Sequence, residues 1–87
     1  MEAAGLIESY LLYPFMFRGT AGDCNTATMG VWHTNDSTKN LPVSSYKFGI
    51  LIVIQTGNGI LKIFTNNNGA KKIYTSVLDV TAGWLDF

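Results

Sequence analysis

Apolar residues along the chain follow two different rhythms. In the first stretch Leu6, Ile7, Tyr10 and Leu11 recur at i, i+1, i+4 and i+5, the spacing of one helical face, with Glu8 and Ser9 off the stripe. Pro14 ends that pattern, because its ring removes a backbone donor and pushes the preceding residue out of helical angles. Phe15, Met16 and Phe17 then look extended. The pattern predicts a short helical lead over 1–14 and a separate body over 15–87. One or two turns of helix are not stable alone in water. Leu6, Ile7, Tyr10 and Leu11 are therefore expected to pack on the body or to contact neighbouring copies of the chain.

The body alternates with the period of strands and is punctuated by turn residues. Gly19, Gly22, Asp23 and Asn25 predict a loop, and Thr28 to Thr34 a strand. Asn35 to Ser45, with Asp36, Asn40 and Pro42, reads as a long polar connection. The clearest strand is Lys47 to Thr56, with Phe48, Ile50, Ile52 and Ile54 on one face and Leu51 and Val53 on the other. A strand apolar on both faces is expected to be buried on both. Gly57-Asn58-Gly59 predicts a tight reversal that uses positive φ, and Ile60 to Thr65 the returning strand. Asn66-Asn67-Asn68-Gly69 is a second reversal, and Lys71 to Leu78 the next strand. A last segment carries Trp84 and Phe87. Reversals about ten residues apart are the signature of an antiparallel β-meander. The expected fold is mainly β, a small knob-like meander preceded by a short helix.

Composition narrows the class. Eighty-seven residues make one domain, in which an isolated core would be marginal. Six basic against six acidic residues give zero formal charge, which argues against nucleic-acid binding. An apolar share of 47% argues against disorder. The single cysteine, Cys24, cannot staple the fold. The start Met-Glu-Ala-Ala lacks the cationic region of a secretory signal, and Leu6 to Phe17 is too short to span a bilayer. The expectation is a soluble chain made in a reducing cytosol, hiding part of its surface against other chains.

Candidate chemistry is sparse. Cys24 and His33 are the only thiol and the only imidazole. A nucleophile pair would need them in hydrogen-bond reach with a third group orienting the base. Structural zinc needs four ligands, normally several Cys or His, so no metal or cofactor is expected. Gly57-Asn58-Gly59 opens no helix and lacks the anion site of a phosphate-binding loop. A glycosidase would need a pair of facing acids such as Asp36 and Asp79, and nothing in the spacing joins them. The aromatic residues Trp32, Tyr46, Tyr74, Trp84 and Phe87 are either core or stacking platforms for sugar rings. Trp32, beside the polar connection, is the leading platform. Asn35, Asp36 and Asn67 are the hydrogen-bonding partners expected to accompany it.

The order of motifs resembles the pyocin-knob-type domain of phage tail fibres. Gly22-Asp23-Cys24-Asn25-Thr26 and Gly30-Val31-Trp32 look like its entry. The likeness continues through Leu41-Pro42, Gly49-Ile50-Leu51-Ile52-Val53, Lys72-Ile73-Tyr74-Thr75 and Trp84-Leu85-Asp86-Phe87, covering about Phe15 to Phe87. The chain has Ser76 where the family often has Arg, and Phe87 where it has a second Trp. The resemblance implies a non-enzymatic virion appendage, made in the bacterial cytoplasm and assembled as a homotrimer with other virion proteins, with possible binding of bacterial surface polysaccharide. An architectural connector or head fibre, and a fragment of a glycan-degrading tailspike, are the alternatives. Two-faced burial in a single-layer sheet calls independently for a partner, since one face must meet the lead helix, a second layer or another copy.

Overall fold

The computed structural model describes residues 16–87, so the helix expected over 1–14, with Leu6, Ile7, Tyr10 and Leu11, lies outside the described residues. Within them the chain is all strand and loop. The strands are β1 (Phe17–Thr20), β2 (Gly30–Thr34), β3 (Gly49–Gln55), β4 (Gly59–Asn66), β5 (Lys71–Val77) and β6 (Val80–Asp86). They form one six-stranded sheet in sequence order. β2 to β6 is the expected antiparallel meander. β1 corrects the purely antiparallel expectation, since it runs parallel to β2. Residues 21–29 make that crossover in nine residues, using one hydrogen-bonded turn in which the Thr26 and Ala27 amides donate to the Asp23 carbonyl at 3.2 and 3.1 Å.

Two of the turns are built differently from their sequence signals. At Gly57-Asn58-Gly59 none of the three residues has positive φ. The Thr56 amide instead donates to the Gly59 carbonyl at 2.8 Å, and the Asn58 amide to Thr56 Oγ1 at 3.1 Å. Gly59 is needed for space: a Cβ there would run into the Ser76 carbonyl of β5. The β5–β6 hairpin turns on Leu78 and Asp79, at φ 48° and 67°. Two consecutive positive φ values define the two-residue turn that suits strand twist. Gly69, at φ 78°, supplies the left-handed residue expected at the Asn66–Gly69 reversal.

Cross-strand register sorts the side chains into two unlike faces. The covered face carries the row Val53, Lys62, Tyr74 and Trp84, and beside it the row Trp32, Leu51, Phe64, Lys72 and Asp86. Residues 21–27 and 38–47 lie over it. Ala21, Cys24, Leu51, Val53 and Phe64 form the buried core, with Ala27, Leu41, Val43, Trp32 and Trp84 packed around them.

On the opposite face one apolar row crosses all six strands: Phe17, Val31, Ile52, Ile63, Ile73 and Leu85. Nothing among the described residues covers it. Phe17 is 58% exposed, Leu85 55% and Ile50, next to the row, 48%. Two-sided burial of β3 is thus corrected: Leu51 and Val53 are buried, while Ile50 faces out and Ile52 and Ile54 are half-buried. The covering loops supply one layer of apolar side chains, and one chain has none left among its described residues for the other face.

Candidate functional site

The end of the sheet where β2, β4 and β6 finish and β3 and β5 begin gathers most of the polar loops. Thr34, Gly49 and Asn66 are in register there. The reversals at residues 35–38 and 66–69 flank the start of β3, and the Asn67 amide donates to the Phe48 carbonyl at 3.0 Å. Asn35 and Asn67 are thereby placed at the same end, two strands apart.

The first of these loops is stitched tightly. The Cys24 amide donates to the Lys39 carbonyl at 3.0 Å and the Lys39 amide to the Gly22 carbonyl at 2.9 Å. Thr38 Oγ1 donates to the Ala21 carbonyl at 2.7 Å, and Asn40 Nδ2 to Asp23 Oδ1 at 2.9 Å. With the Asn25 amide on the same carboxylate oxygen, these two donors hold the Asp23 carboxyl below its usual range, the Asn40 bond being the larger influence. Asn35 Oδ1 is occupied by the Ser37 amide at 2.9 Å. Asp36 and Asn67 stand exposed at the turn tips.

Trp32 takes another part. Its ring is half-buried against the core cluster, and Nε1 donates to the Thr28 carbonyl at 2.8 Å. Trp32 thus lies on the covered face, while Asp36 and Asn67 stand at the turn tips. Trp84 and Tyr74 are likewise structural, their rings 5.5 Å apart. Tyr46 and Phe87 are the aromatics of that set left more than half exposed.

The residues considered for catalysis are kept apart. Cys24 is fully buried on the covered face, and burial pushes its thiol up to about 11. His33 is exposed on the other face, where its ring lies 5.3 Å from Phe17 and Nε2 is hydrogen-bonded to the Thr20 hydroxyl. Asp36 and Asp79 sit at opposite ends of the sheet, after β2 and in the β5–β6 turn. Among the described residues no three His, Cys, Asp or Glu side chains converge as metal ligands.

A cleft of about 350 Å³ opens at the polar end, on the covered side of the sheet. Tyr46, Ser44, Ser45, Asn68 and Lys72 line it, with Ala70 at its floor. A second hollow of about 330 Å³ adjoins it through Ala70 and Lys72 and reaches Lys71, Asp86 and Phe87. Lys72 and Asp86 are ion-paired between the two. Sequence reasoning named Tyr46 among several aromatics but had no signal to prefer it, because its exposure depends on how residues 41–48 cross the covered face. No family model, curated protein or solved structure matches the chain.

Proposed function

We propose that this chain is a non-enzymatic appendage module of a phage particle, assembled from three copies and displaying its polar end to a bacterial surface polysaccharide or a neighbouring virion protein. The open sheet face carries this reading. Its six-residue row and the adjoining Ile50, Ile54 and Leu61 hold no charge. Phe17, Ile50 and Leu85 are each about half exposed and the residues between them half-buried, a contiguous apolar patch of the kind that marks an interaction surface. The apolar row suits a second copy of itself, the nearest formal charge on that face by register being Lys71, beside Thr65 at its polar end. Three as the copy number, and the phage particle as the setting, follow from the resemblance to the knob domain.

The occupancy of that face is measured by mass in solution. Wild-type protein at micromolar concentration is expected at three times the chain mass, and Ile52→Asp or Ile63→Lys at one times. A well-folded wild-type monomer sinks the reading. A purely architectural connector draws support from the hydrogen-bonded stitching of residues 21–24 to 35–40, which holds that loop rigid without a ligand. Saccharide binding separates the two roles.

A further inference from the structure

The geometry points to the cleft at Tyr46 as a saccharide subsite, its ring the platform for one pyranose and the Lys72–Asp86 pair the hydrogen-bonding group for the next. This rests on the display reading above and assigns it a place other than Trp32.

Tyr46 presents a large aromatic ring that is 54% exposed, on a backbone at φ 55°. That region is normally left to Gly, Asn or Asp. The side chain is therefore presented outward at a conformational cost. Around the ring stand polar groups with nothing to do: the Tyr46, Ser44 and Ser45 hydroxyls and the Asn68 carboxamide make no hydrogen bond among the described residues. Asn66 is different, since its Oδ1 is saturated by the Asn68 and Ala70 amides and fixes the floor. A rigid floor, an exposed aromatic face and several unspent hydroxyl and amide groups match a pyranose, which has an apolar face of axial hydrogens and a rim of hydroxyls.

The adjoining hollow makes the site an extended one. Lys72 and Asp86 offer a donor and acceptor side by side, Asp86 with most of its surface open, and Lys71 adds an exposed positive charge with no acid paired to it among the described residues. The ligand class is a short oligosaccharide, with an acidic sugar preferred in the second position. The Tyr46 cleft lies on the side of the sheet opposite the apolar row, so assembly through that row leaves it open.

The test is amide chemical-shift mapping of the full chain titrated with neutral and uronic-acid-containing tri- to pentasaccharides. Shifts are expected at residues 43–46 and 66–72, stronger with the acidic series. Tyr46→Ala is expected to weaken binding about tenfold or more, and Asn67→Ala to leave it unchanged. Tyr46→Gly gives a readout that a merely structural residue would not: relief of the left-handed strain raises the melting temperature while binding is lost. The assignment is overturned by the absence of shifts at millimolar saccharide, by shifts elsewhere, or by a Tyr46→Ala protein that binds as well as wild type. Mass measured on the same samples separates the two readings. Trimers without shifts overturn the cleft alone, and monomers with shifts overturn the assembly alone.

Discussion

Lys62 is a buried ammonium in the middle of a sheet face, and it explains why the covering loop stays where it is. Only 5% of the residue is exposed. Nζ donates to the Cys24 carbonyl at 2.7 Å and lies 5.0 Å from the centre of the Tyr74 ring. Burial pulls the ammonium below its usual range, against opposing contributions from Cys24 and Asp23. Lys62→Met keeps an apolar stem but orphans a buried carbonyl. It is expected to cost about 1–3 kcal/mol in denaturant unfolding. The neighbouring thiol has the opposite pH signature. Its folded value is raised, so its contribution is full below about 9 and is lost as pH climbs toward about 11, because the unfolded thiol ionises first. Lys62 partly offsets this, since its folded value is lowered and the unfolded chain holds the extra proton until about 10.5. Wild type is expected to lose stability relative to Cys24→Ala between pH 9 and 11, as read by chemical denaturation at each pH.

At the scale of elements, the β5–β6 hairpin turns on residues poorly suited to its geometry. Leu78 and Asp79 both have positive φ, and Leu78 is 71% exposed. Replacing the pair with Asn-Gly is expected to raise stability by about 1 kcal/mol, seen as a higher melting temperature. The same turn shows where sequence reading stops. Alternation made β3, β4 and β5 legible to within about two residues, because the period of a strand is local. A Leu-Asp turn carries no local mark, and the strand before it looked one residue longer than it is. Gly57 and Gly59 misled in the other direction: neither takes a left-handed φ, and Gly59 serves the close approach of β5 instead. β1 was visible only as an extended trio, because its choice of β2 as a parallel partner depends on the path of residues 21–29. Trp32 misled for a related reason. An indole beside a polar loop looks exposed until its own strand assigns it to the covered face.

For the whole molecule, the decisive asymmetry is one sheet with a single covering layer. Apolar abundance was plain in the composition, but which face lacked cover emerges only from register. The proposed association through that face would make the folded state depend on concentration by mass action. The melting temperature of wild type is therefore expected to rise with protein concentration, and that of Ile52→Asp to stay constant. Saccharide binding at the Tyr46 cleft should be intact in both, since the two surfaces lie on opposite sides of the sheet.

Strand order identical to sequence order also sets how the module bears load. Phe17 is in one edge strand and Asp86 in the other. Tension applied between those residues pulls across the sheet, along the inter-strand hydrogen bonds rather than along the strands. Such a pull opens the bonds in succession, peeling one strand at a time from the edges, instead of shearing many at once. A single copy would thus be mechanically soft along that line. If copies associate through the apolar row as proposed, that contact would clamp neighbouring sheets against being unpeeled.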